Sequence, residues 1–232
     1  MTALDGRLLA AADFVTAGAY VVDVGTDHGY LPVFLVERGL AQRALASDIN
    51  PQPLASAQRN IAAAGLEGKI CTQLADGLDG IDLKGVTDLV IAGMGGMLIA
   101  EILEKRLPLT GINLILQPMT QAPYLRNWLC VHGIQILAET PAEAAGKIYT
   151  VINARSGGES WACDDLFAHV GRIPEALHDL EKRPAAERYL RNLRKKLEVI
   201  ALGLSQSGRD AESTVRYQRL IGQIRSVEED AR

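Results

Sequence analysis

The sequence is poor in cysteine, in aromatic residues and in charge of one sign. Its 232 residues include three cysteines, Cys71, Cys130 and Cys163. Their odd number, wide spacing and lack of a C-x-x-C pair argue against a disulfide framework and against a zinc site. We therefore expect no metal, and a reducing, cytoplasmic setting fits best. No run of about 18 apolar residues is present, so no membrane-spanning helix is expected. The opening MTALDGRLLAAADFV has two early acids and no cleavage signature, unlike a secretory signal. Also missing is a positive surplus: the net charge is −4. That argues against nucleic-acid binding over the whole surface, and charge has to be read locally. Residues 1–158 hold 11 basic and 15 acidic side chains, and residues 159–232 hold 13 of each. Within the second part, residues 182–225 hold 11 basic and 4 acidic side chains, a local surplus of seven.

What is present is ordinary globular composition, 48% hydrophobic and 22% charged. The length fits one large domain and a small appendage. Short β-like runs at 20–24 (YVVDV), 43–47, 70–74, 88–92 and 114–117 alternate with helical stretches at 32–39, 53–64, 97–104 and 122–132. A helix at 4–16 precedes them. This order predicts an α/β fold with a mostly parallel sheet and helices on both faces. Segments 134–140 and 146–154 read as an antiparallel pair closing the sheet, which is the plan of a class I methyltransferase Rossmann-like fold. A linker at 155–159 (RSGGE) suggests domains at 1–158 and 159–232. Beyond it, Leu190, Leu193, Leu197, Ile200 and Leu204 are spaced 3-4-3-4, and Tyr217, Leu220, Ile224 and Val227 are spaced 3-4-3. Those seams predict a C-terminal antiparallel helical hairpin, a coiled coil, over about 185–204 and 211–229, turning at Gly208.

Chemistry-bearing residues gather where the runs end. The first run leads into D-x-G-x-D-x-G, with Gly25, Asp27 and Gly29, and not into G-x-G-x-x-G. A pyrophosphate needs open backbone amides at a helix N-terminus, and Asp27 stands where that anion would go. A dinucleotide is thus disfavoured, whereas a cationic sulfonium with a free amino group tolerates an acid there. The alternative is an ordinary strand-to-helix turn. Asp48 lies 23 residues after Gly25, near the spacing of a ribose-binding acid; alternatively it caps the helix before Pro51. Asp76-Gly77 suits an adenine amino group with room for the ring, or is a simple turn. Gly93, Gly95 and Gly96 crowd the fourth run's end, where a backbone can approach a ligand, or form a flexible loop.

Together DVGTDHGYLP, ADGLDGI, IAGMGG and LILQP resemble the bacterial tRNA (adenine-22-N1)-methyltransferase family, across nearly the whole chain from Arg7 to the tail. The resemblance implies S-adenosyl-L-methionine as cofactor, tRNA as substrate and methyl transfer to adenine N1. It places cofactor contacts on Gly25, Asp48, Asp76 and Gly77. Arg7, in the opening helix, and Gly93 join them. Asp27 becomes the leading catalytic candidate, with Tyr30 stacking on the base or packing the loop. His28 contacts RNA or fixes the loop, and Gln117 and Pro118 in the fifth run face the RNA. Met119 departs from the family's LILQPN, which ends in asparagine. In the tail, Arg191, Arg194 and Lys195 are expected to meet phosphates, against the alternative of a solvated helix face. A monomer is the expected state. Competing readings are methylation of another RNA base, a protein or a small molecule, and a non-catalytic RNA-binding protein on the same scaffold.

Overall fold

The computed structural model describes residues 4–207 and 210–230. Helix α1 (Gly6–Ala12) leads to β1 (Ala19–Val24), α2 (Tyr30–Glu37), β2 (Ala41–Asp48), α3 (Pro51–Ala63) and β3 (Ile70–Leu74). Then come β4 (Asp88–Gly95), α4 (Gly96–Glu104), β5 (Asn113–Thr120), α5 (Ala122–Val131), β6 (Ile134–Ala144) and β7 (Lys147–Ser156). The seven strands form one sheet in the order β3-β2-β1-β4-β5-β7-β6. The first five neighbours pair in parallel, and β7 runs antiparallel to both β5 and β6. The closing hairpin of the sequence reading is present, with its second strand inserted between β5 and the first.

Period-two alternation sorts the strand residues between two cores. Val21, Val90 and Ile115 pack with Leu31 and Leu35 of α2 and Ile61 of α3. Their neighbours Val22, Leu89, Ile91, Leu114 and Leu116 pack with Ile99 and Leu103 of α4 and Leu125 and Leu129 of α5. Strand β3 spans the expected residues, while β4 and β5 each run three residues further and carry the glycine-rich and Gln-Pro motifs at their ends. Helix α1 is shorter than expected. Asp5 caps it by accepting from the Arg7 and Leu8 amides. After Ala12 the chain tightens into i,i+3 turns, and the Thr16 amide binds Asp88 Oδ1.

The C-terminal part holds two short elements that the sequence reading lacks, α6 (Asp165–Val170) and a 3-10 turn (Ile173–His178). Six residues each, separated by Gly171 and Arg172, leave no readable period. Helices α7 (Arg183–Ser207) and α8 (Ala211–Asp230) follow. Gly208, the expected turning residue, and Arg209 lie outside the described residues. Arg194 pairs with Glu228 and Arg225 with Glu198, so the two helices run antiparallel. Their seam buries Leu190, Leu197, Leu220 and Ile224, with Leu193, Tyr217 and Val227 against it. The beginning of α7 also packs on Val170, Ile173 and Leu177.

A buried ion pair joins this helical part to the sheet. Arg126 of α5 and Glu139 of β6 are both wholly buried and 2.8 Å apart. All five guanidinium donors are used. Nε and Nη2 bind Glu139, Nη1 binds the Ala168 and His169 carbonyls, and Nη2 also donates to Tyr189 Oη. Thr150 of β7 donates to Glu139 as well. Gly171, at φ +53°, lies against the pair, and a Cβ there would collide with Glu139 Oε1 and Arg126 Nε. Removing one partner strands the other charge without water, at a cost of about 3–5 kcal/mol. Arg126→Met should therefore lower unfolding free energy by about that amount in denaturant titration, and Arg126→Met with Glu139→Leu by less than either single change. A loss under about 1 kcal/mol for Arg126→Met would contradict the joint's role.

Candidate active site at the carboxyl ends of the strands

Because β1 to β5 run in one direction, their carboxyl ends share one edge of the sheet. That edge is where open α/β sheets bind ligands. Gly25 follows β1, Asp48 ends β2, Asp76 and Gly77 follow β3, Gly93 sits in β4 and Gln117 in β5. Of the sequence-predicted cofactor residues, Gly25, Asp48, Asp76, Gly77 and Gly93 are thus brought to one edge, and Arg7 reaches it from α1 through Gln117. Gly25 and Gly93 have φ of +74° and +82°, which a side chain rarely tolerates. A Cβ on Gly25 would also collide with the Met94 methyl, which closes over it from the end of β4.

Gln117 is wholly buried. Its Oε1 accepts from the Gly93 amide at 3.0 Å and from Arg7 Nη1 at 3.3 Å, and its Nε2 donates to the Pro118 carbonyl. Arg7 is held from behind by Asp5 at 2.6 Å, and its guanidinium lies 5.6 Å from the Tyr149 ring centre. Arg7 Nη1 also reaches the Met119 sulfur at 3.0 Å. Arg7, Gly93, Gln117 and Met119 therefore form one hydrogen-bonded cluster. Gln117 works inside it, positioning backbone and guanidinium. The methionine that replaces the expected asparagine keeps a weak acceptor for Arg7.

The β1–α2 loop forms a second cluster. His28 adopts φ +60°, and its carbonyl accepts from Asn60. Its Nε2 lies 3.1 Å from Asp27 Oδ1, and its ring is 5.3 Å from that of Tyr30. The Asp27 side chain is 82% exposed, so it is open to an incoming group. Beneath it, Asp23 is buried. Burial pushes its carboxyl up to about 6, and Asp48 and Asp27 nearby push in the same direction. Asp48 Oδ1 accepts from the Asn50 amide two residues on, an Asx turn, whereas the cap of α3 is Asn50, so Asp48 does not cap that helix. Asp76 has Lys105 at 4.0 Å, and Gly77 packs on Ile102. Three strand ends thus offer carboxylates, an acceptor set suited to a cationic ligand bearing hydroxyl and amino groups. It does not suit a pyrophosphate.

The predicted tail residues separate. Arg194 is engaged by Glu228 at 2.8 Å and Glu198 at 3.0 Å, so it clasps the hairpin. Arg188 binds Glu143 and the Gly146 carbonyl, tying α7 to the β6–β7 turn. Among the described residues Arg191, Lys195 and Lys196 are exposed and take part in no ion pair. Asp23, Met94 and Tyr149 escaped the sequence reading. Asp23 sits two residues before Gly25 inside an apolar run, a placement that could have marked it. Tyr149 has no local signal. Among the described residues no group of three His, Cys, Asp or Glu side chains is placed to hold a metal.

A family model described as a methyltransferase domain matches residues 4–152. The tRNA (adenine(22)-N(1))-methyltransferase of Bacillus subtilis is 39% identical over 173 residues, 73% of this chain and 72% of that protein. A Streptococcus pneumoniae protein crystallised with S-adenosyl-L-methionine superposes with a TM-score of 0.81 at 34% identity, covering 97% of this chain and 100% of that one. M. capricolum TrmK, solved with S-adenosyl-homocysteine, superposes with a TM-score of 0.79 at 27% identity, covering 99% of each chain. On its sequence, its sheet order and the residues aligned along its strand ends, this chain belongs to the tRNA (adenine(22)-N(1))-methyltransferase family.

Proposed function

We propose that this protein methylates N1 of adenine 22 in tRNA, with S-adenosyl-L-methionine as methyl donor, and that it works in the cytoplasm as a monomer. The observation that carries the reading is the row Gly25, Asp48, Asp76 and Gly93 along one sheet edge. We divide the labour between residues 1–158, which hold donor and target base, and residues 159–232, which hold RNA.

The donor supplies an electrophilic methyl carbon on a sulfonium. Asp48 accepts from ribose hydroxyls and Asp76 from an adenine amino group, while Gly25, Gly77 and Gly93 let backbone come close. Arg7, anchored by Asp5 and Gln117, faces the donor's carboxylate. Adenine N1 needs no deprotonation before attack, so the protein's main task is alignment. As methylation proceeds the target ring gains positive charge. Asp27 stabilises that charge beside the exocyclic amine or takes a proton from it. His28 holds Asp27, and Tyr30 stacks on the base. Gln117 acts on RNA indirectly, through the loop that continues into Pro118. Arg191 and Lys195 meet phosphates, with Arg194 supporting the hairpin that carries them.

Asp48→Ala should weaken S-adenosylmethionine binding by about 1–3 kcal/mol in calorimetry, the scale of a lost charge-assisted hydrogen bond. Unchanged affinity in a folded variant would remove Asp48 from the site. Asp27→Asn should lower turnover on saturating tRNA more than it lowers donor affinity, because its charge matters most in the transition state. Near wild-type turnover would leave Asp27 without that role.

Proton linkage at Asp23 gives a third expectation. Its folded value near 6 lies above the usual carboxylate value of 3.8, so the carboxyl stabilises the free protein below about pH 4 and that contribution is lost as pH rises through 6. A cationic donor favours the carboxylate. Donor affinity should therefore rise with pH up to about 6 by at most about tenfold per unit, then level off. Asp23→Asn should flatten the profile. A flat wild-type profile between pH 5 and 7 would rule out the linkage.

A further inference from the structure

At the β5 end of the same sheet edge, a cleft of about 400 Å³ opens between residues 118–123, strand β7 and the helical hairpin. Of the residues lining it, Pro118 alone has been given to the RNA. Met119 belongs to both places, lining the cleft while its sulfur accepts from Arg7. Tyr149, Tyr189 and Tyr217 supply aromatic walls, Leu193 an apolar one, and Asn192 and Lys196 polar groups on α7. The wall at Tyr189 is stiff, because its hydroxyl accepts from the buried Arg126. Arg191 and Lys195 form an exposed ridge one turn apart, and Lys196, about 100° round the same helix from Lys195, brings charge to the cleft wall. The volume lies in the range of small-ligand sites.

Rigid aromatic faces, an amide and a cation in one cleft match what single-stranded nucleic acid needs. Bases stack on the rings, an amide reads a base edge, and a lysine takes the phosphate. Asp27 and Tyr30, to which the proposed function gives the reacting adenine, follow β1, and β4 lies between that strand and the β5 end that lines this cleft, so on that reading the reacting adenine is not its occupant. We propose that the cleft receives one unstacked nucleotide of the RNA other than the methylated adenine, its base against the tyrosines and its phosphate at Lys196. The proposal rests on tRNA being the substrate. It makes the hairpin a reader of RNA as well as a basic clamp.

Binding of the full-length protein to labelled, unmodified tRNA tests it without relying on methylation. One set of tRNAs carries an abasic nucleotide at each position around adenine 22 in turn. Wild type should lose affinity roughly tenfold or more at one such position, the scale of base–aromatic stacking. Asn192→Trp fills the cleft from an exposed helix position. It should bind intact tRNA roughly tenfold more weakly and be indifferent to that abasic site. Lys196→Gln should weaken all the RNAs alike and reduce the salt slope by about one. S-adenosylmethionine affinity and thermal stability should stay unchanged in both variants. The proposal is overturned if Asn192→Trp binds intact tRNA like wild type, if no abasic position costs wild type affinity, or if the Lys196 change leaves the salt slope alone. Dissociation of a wild-type dimer by Asn192→Trp would place a second copy of the chain in the cleft and overturn it too. A wild-type protein that discriminates among the abasic tRNAs but transfers no methyl would strike the proposed reaction and leave the cleft standing.

Discussion

The site depends on strand direction. Five neighbouring strands pair in parallel, so every chain segment leaves the sheet at the same edge, four of the five into a helix. Side chains far apart in sequence meet there. Gly93 and Gln117 are 24 residues apart yet share a hydrogen bond, and Arg7 reaches the same amide oxygen from 110 residues away. Reversing one strand would move its loop to the opposite edge. There the sheet carries a different network, Asp88, Asn113 and Asn153, which binds the turn after α1. One edge gathers the glycines and carboxylates, and the other ties the turn after α1 to the sheet.

A second constraint fixes the hairpin relative to that edge. The Arg126–Glu139 pair draws on α5, β6, β7, the 165–170 helix and α7 at once. With every guanidinium proton satisfied, a small displacement of α7 would break charge-assisted bonds in a place closed to water. Tyr189 stands in this network and in the cleft wall. The position of α7 is therefore set by the same contacts that seal the core. That is the geometry an enzyme needs when part of a large substrate must be gripped while one base reacts nearby.

Much of this was legible in the sequence, for reasons that can be named. Strand ends were readable because apolar runs stop at glycine and aspartate, as at Asp23-Val24-Gly25 and Ala75-Asp76-Gly77. The hairpin was readable from its 3-4 spacing. Partners of long-range polar side chains were not. Gln117 looked like a group facing the substrate, whereas burial turns it inward to Gly93 and Arg7. Arg194 looked like its basic neighbours, yet Glu198 and Glu228 claim it. Arg126 carries no local signal at all, since its partner Glu139 belongs to another element and α6 is too short to show a period. Helix amphipathicity says which face is buried, not which charge on the open face finds a mate.

The most direct test of the account is where the methyl group goes. Incubated with methyl-labelled S-adenosylmethionine and unmodified tRNA, the protein should place label in 1-methyladenosine, and mapping should locate it at adenine 22. Replacing that adenine should abolish incorporation. Label in a different nucleoside, label that survives loss of adenine 22, or no incorporation by a protein that binds both donor and tRNA would contradict it.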